Sequence, residues 1–170
     1  AIKREPRLLK DVTDQDLRDQ FDLAIQIRDR VSMANEAVLL ARGIKQQIAD
    51  RKAKLDPKQT AAIKALDDLE KAVSDVEGQI YQVRLQSSQD PLNFPIKINN
   101  RLASLLRVVN AGDGKPIANA YPIFKDLSAE LKVQTDTLQQ ILAGDLPEFN
   151  KEATRVGLGP LVTKHELPKL

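Results

Sequence analysis

The sequence predicts an all-α protein: an antiparallel up-down helical bundle of four main helices, with a short C-terminal helix and a tail. Three observations carry that expectation. A proline-free stretch from Asp14 to Lys54 holds an apolar residue every three or four positions. A second stretch, before Leu85, repeats the pattern as a heptad seam. Hydrophobic residues make up 42% of the 170, yet aromatics are only 4% and tryptophan is absent. Such a core must be built from Leu, Ile, Val and Ala, the usual filling between helices.

The first helix, 14–54, is the element around which the others are expected to gather. Its stripe is Leu17, Phe21, Ala24, Ile27, Val31, Ala34, Val38, Ala41, Ile44 and Ile48. Steps of three and four are helical and cannot be strand alternation. At 1.5 Å per residue the helix would run about 60 Å and would need partners along its length. Thr13 with Asp16 reads as a capping-box-like start. Acidic residues crowd that end and Lys45, Arg51, Lys52 and Lys54 the other, as the helix dipole favours. Gly43 costs about 1 kcal/mol relative to Ala and is expected to mark a close helix–helix approach. Arg28, Asn35 and Arg42 recur at sevens beside the seam. They read either as a polar stripe for a partner or as residues that flank the seam and fix register.

Asp56-Pro57 predicts an N-cap and N1 proline opening a second helix, 57–85, with the seam Leu66, Leu69, Val73, Val76, Ile80 and Val83. The short connection makes helices one and two an antiparallel hairpin. The run from Ser87 to Pro95 is the expected hinge. Helix three, 96–110, would turn Ile98, Leu102, Leu105, Leu106 and Val109 inward. Gly112-Asp113-Gly114-Lys115 lacks P-loop spacing and reads as an interhelical turn in preference to an anion cradle. Helix four is expected over 116–143, with Ile117, Tyr121, Phe124, Leu127, Leu131, Leu138 and Ile141, or Leu142 at the same level, inward. A short helix, 146–156, ends near Gly157, and residues 158–170 read as a tail.

The composition narrows the function. A net charge of +2 makes no electrostatic case for nucleic acid. No run of 18 apolar residues exists to predict membrane insertion. Residues 1–55 carry 12 basic and 9 acidic groups, net +3, against 4 and 7, net −3, in 56–90; helices of opposite sign attract modestly, and salt screens them. Without cysteine there is neither a disulfide nor a thiolate site. The densest carboxylate cluster, Asp67-Asp68-Glu70, reads as solvated and lacks the desolvated cleft that acid–base work requires. The single histidine, His165, sits in the tail, so a di-metal, zinc or Ser-His-Asp site finds no partner set. We therefore expect no catalytic residues, no metal and no cofactor. The start, Ala1-Ile2-Lys3, without an initiator Met or a signal-peptide core, leads us to expect a processed protein or a piece of a longer one.

Two stretches carry a family resemblance. Thr13-Asp14-Gln15-Asp16-Leu17 with Gln20-Phe21-Asp22-Leu23-Ala24, Ile27-Arg28-Asp29-Arg30-Val31-Ser32 and Asn35-Glu36-Ala37-Val38 forms the first. Asp90-Pro91-Leu92-Asn93-Phe94-Pro95-Ile96-Lys97-Ile98-Asn99-Asn100-Arg101-Leu102, leading through Gly112-Asp113-Gly114-Lys115-Pro116 to Tyr121 and Phe124, forms the second. Both resemble the C-terminal helical region of large bacterial sortilin-like proteins, which carry a Vps10-like β-propeller of BNR (Asp-box) repeats and are often labelled glycosyl hydrolases. The resemblance implies a non-catalytic accessory or interaction domain of an exported protein. The partner it implies is the propeller of the same parent chain, or another protein. Propeller repeats of that family need Ser-x-Asp-x-Gly-x-x-x-Trp motifs, so the propeller lies outside these residues and no catalytic residue carries over. The candidate partner contacts are Arg28, Asn35, Arg42, Asn93, Phe94 and Asn99. Two alternatives remain open: an accessory part of a glycoside hydrolase whose active site lies elsewhere, and a free-standing module that forms a homo-oligomer.

Overall fold

The computed structural model describes residues 10–163; the expectation for His165 falls outside them. The fold is an all-α bundle of four main helices and one short one. They are α1 (Asp14–Lys52), α2 (Thr60–Ile80), α3 (Ile98–Val109), α4 (Ala120–Ala143) and α5 (Asp145–Arg155), with a single 3-10 turn at Asp90–Leu92. Among the described residues there is no strand.

The helices share out the length of α1. Lys52 pairs with Asp67 and Glu70, while Arg42 and Lys45 pair with Glu77. Falling numbers on α1 thus meet rising numbers on α2, and the two are antiparallel. Gln20, near the start of α1, donates to the carbonyl of Val109 at the end of α3. Hence α3 also runs opposite to α1, beyond α2 along the same long helix. Arg101 of α3 pairs with Glu130 of α4, and α4 returns alongside α3 and then α2. Helix α5 turns off after Gly144 and lies on α2. A Cβ at Gly144 would stand 3.2 Å from the carbonyl of Gln140, so the joint between α4 and α5 is tight for any other residue.

Helix α1 starts as expected. The Thr13 hydroxyl accepts from the Asp16 amide and the Asp16 carboxylate accepts from the Thr13 amide, a reciprocal capping box. The stripe is corrected at Phe21, which is 64% exposed; Leu23 takes the inward place. Met33, Ala37 and Leu40 are buried as well, because α1 is flanked on more than one side and buries a band wider than a single seam. The close approach expected at Gly43 is not found: among the described residues nothing stands within 4 Å of a Cβ built there, and the small buried residues of α1 are Ala34, Ala37 and Ala41.

The other boundaries shift for local reasons. Asp56 does not cap a helix at Pro57; its carboxylate accepts from Lys58 and its carbonyl from Gln59, closing a turn that delays α2 to Thr60. Helix α2 ends at Ile80, where Tyr81 goes extended, so Val83 is exposed and outside the seam. Helix α4 begins at Ala120, after a turn closed by its amide on the Ile117 carbonyl; Ile117 and Tyr121 face outward. The stripe of α4 passes through Thr135, whose buried hydroxyl donates back to the carbonyls of Leu131 and Lys132.

We predict that Leu131→Ala, which empties a fully buried site, costs about 2–5 kcal/mol in urea unfolding. Phe21→Ala should change stability by no more than about 0.5 kcal/mol; a loss as large as that of Leu131→Ala would mean that Phe21 is a core residue.

Candidate functional site

The residues singled out in the sequence meet, in part, where α2 gives way to α3. Glu77, in the last turn of α2, is a carboxylate only 3% exposed. Its Oε1 accepts from Arg42 Nε at 2.6 Å and its Oε2 from Lys45 Nζ at 2.9 Å. The guanidinium of Arg42 also lies over the ring of Tyr81, 4.8 Å from its centroid, where a cation is attracted to the π face. Burial pushes the Glu77 carboxyl upward; the hydrogen bonds and charges of Arg42 and Lys45 outweigh it, and the net shift is downward. Arg42 therefore fixes the register of α2 against α1. Arg28, about 21 Å away along α1, pairs with its neighbour Asp29 at 2.6 Å and is exposed; Asn35 between them is exposed too.

The connection from Tyr81 to Lys97, expected to be a hinge, is cross-braced. The buried Gln82 side chain donates to the Pro95 carbonyl at 2.9 Å, tying the start of the segment to its end. The Asp90 carboxylate accepts from the amides of Gln86 and Ser87 and from the Ser87 hydroxyl. The backbone donors of Gln86 and Ser87, followed by that hydroxyl, hold Asp90 below the usual carboxylate range. On this frame Leu92 stands 87% exposed with Asn93 exposed beside it. Phe94 is half-buried under the Arg84 guanidinium, 5.5 Å from the ring centroid. Asn99, at the start of α3, is half-buried, and its enclosed Oδ1 has no hydrogen-bond partner among the described residues. Arg42, Phe94 and Asn93 thus belong to one region through Tyr81 and the connection, whereas Arg28 lies well along α1 from it.

The other sequence candidates resolve into structural roles. Asp67 and Glu70 both hold Lys52, and Asp68 holds Lys64. Further along, Asp68 joins Asp145, Glu148 and Glu152 on the rim of a cleft of about 420 Å³ between α2 and α5. The Gly112–Lys115 segment is a turn locked by Gln20, whose amide nitrogen donates to the carbonyls of Val109 and Gly112 and whose oxygen accepts from Gly114. Among the described residues no group of His, Cys, Asp or Glu is placed to hold a metal ion. No helix there is long and apolar enough to cross a membrane.

Sequence reasoning missed two features. Glu77 looks like any surface glutamate in the one-dimensional pattern, although its place between Val76 and Ile80 on the seam was a readable signal. The second is the segment after α5. Its composition suggests a tail, but through Thr163 it is fastened to the bundle, with Leu161 buried and held by Asn150. Comparison with protein-family models, with curated proteins and with solved structures finds no match to the chain.

We predict that Glu77→Gln destabilises the protein by about 1–3 kcal/mol at pH 7, because a buried charge-assisted pair is lost. The folded carboxyl is depressed, so its contribution is complete above the unfolded value of about 4.3 and lost as pH falls through the lower folded value. Denaturant titrations of the native and variant proteins should differ at pH 7, and the gap should close only at a pH below the depressed folded value. An equal gap at both pH values would show that the charge contributes nothing.

Proposed function

We propose that this chain is a non-catalytic helical accessory domain that contacts another protein surface. We place it at the C-terminal end of an exported sortilin-like propeller protein, with the propeller of its own parent chain as first partner. The observation that carries the reading is the braced connection between α2 and α3. Its second half lies within the second stretch of resemblance, Asp90 to Leu102. Gln82 and Asp90 hold its backbone while Leu92 and Asn93 point to solvent. A lone exposed leucine is common and means little. Its weight comes from the fixed backbone beneath it, since a contact made by a preorganised loop loses little entropy on binding. Arg84 stacked on Phe94 adds a cationic edge to the same loop.

An antibody against this domain, applied to fractionated source cells, should mark a polypeptide several times larger than 18.9 kDa in the exported fraction. In that polypeptide, Leu92→Asp combined with Asn93→Ala should free the domain to limited proteolysis at its junction without loss of helical circular dichroism. A band near 18.9 kDa in the cytosol overturns the assignment.

A further inference from the structure

The segment that follows α5 is bound to the bundle as a peptide is bound to a receptor. After Gly157, whose φ of +76° turns the chain, residues 159–163 are neither helix nor turn. Side chains hold their backbone residue by residue. Arg51 Nε donates to the Gly159 carbonyl at 2.8 Å and its guanidinium also donates to that of Pro160. Asn150 accepts from the Leu161 amide at 2.7 Å and donates to its carbonyl at 2.9 Å. Gln47 accepts from the Val162 amide at 3.0 Å and donates to its carbonyl at 2.8 Å. Each amide side chain thus offers the donor–acceptor pair that a neighbouring strand would offer. Arg51 is itself aimed by a bond from its Nη1 to the Gln47 carbonyl. Only one side chain of the held run is used as an anchor: Leu161 is 2% exposed, while Val162 is outside.

Beside Val162 and Thr163, among the described residues, lies a groove of about 510 Å³ lined by Leu39, Leu40, Gly43 and Ile44. Leu39 is 66% exposed, and among the described residues nothing lies within 4 Å of a Cβ at Gly43. Backbone pairing from side chains, one buried leucine and an apolar groove alongside are the parts of a site for an extended peptide. We propose that Gln47, Arg51 and Asn150 form a binding site for an extended peptide. The ligand has the chemistry of Gly-Pro-Leu-Val: backbone groups free to pair, one leucine to bury, and a β-branched residue outside. Residues 158–163 occupy the site in cis and compete with a peptide arriving in trans.

The test uses the full chain carrying Leu161→Asp, which expels the resident segment, and a fluorescent peptide of sequence Leu-Gly-Pro-Leu-Val-Thr followed by polarisation. With helical circular dichroism unchanged, the variant should bind the peptide saturably and at least about tenfold more tightly than the native chain. Placing Asp at the second leucine of the peptide, or Gln47→Ala with Asn150→Ala in the chain, should weaken binding by about tenfold or more. Should Leu161→Asp lose its helices, Leu161→Ala takes its place, leaving a space without a charge. Helices that melt in both variants, or a folded variant without saturable binding, overturn the proposal; the segment is then a fixed part of the bundle.

Discussion

Everything in this bundle answers to the length of α1. A helix of 39 residues spans about 58 Å and cannot hold its own shape in water; its apolar band must be covered from end to end. No other helix in the described residues is long enough to do so. Helices α2 and α3 therefore follow one another along it, both running back against its direction, while α4 bridges the two and α5 extends the cover on α2. Seen this way, the breaks at 81–97 and at Gly144 are the places where short helices are joined to serve a long one.

The joints are held by polar groups, and the choice of groups follows from burial. At the end of α2 a carboxylate is shut away from water, which is costly unless its charge is answered. Two cations of α1 answer it, one on each oxygen, and Tyr81 receives the far side of Arg42. Beyond it, Gln82 and Asp90 satisfy backbone groups that a helix or sheet would otherwise pair. At the opposite end of α1, Gln20 does the same for the turn between α3 and α4. Near the C-terminal end of α1, Gln47, Arg51 and Asn150 do it for the segment after α5. Amide side chains recur in this role because they carry a donor and an acceptor at one tip.

This division separates the two halves of the functional reading. The braced connection presents residues outward on a backbone that is already fixed, which suits a docking loop. The seat for the C-terminal segment presents backbone-pairing groups inward, which suits reception of a chain. On the proposed readings, one is a surface that is offered and the other a surface that receives.

The sequence by itself determined the number of helices, their approximate spans, the capping box at Thr13 and most of the core, because three-and-four spacing of apolar residues leaves one face to bury. Tertiary structure alone decided the rest. Phe21 fits the periodic stripe as well as Leu23, and only the position of the neighbouring helices puts one outside and the other in. Val83 and Ile117 satisfy the spacing too, but one lies past the end of α2 and the other in the turn before α4, and Tyr121, in the first turn of α4, faces outward. Gln47 and Asn150 are illegible for the same reason, and for Glu77 the spacing shows its place on the seam and not its partners. Those partners lie 32 residues or more away for Glu77, 115 for Gln47 and past a turn for Asn150. What a polar side chain does is set by which backbone or charge the fold brings to it, and local spacing carries no record of that.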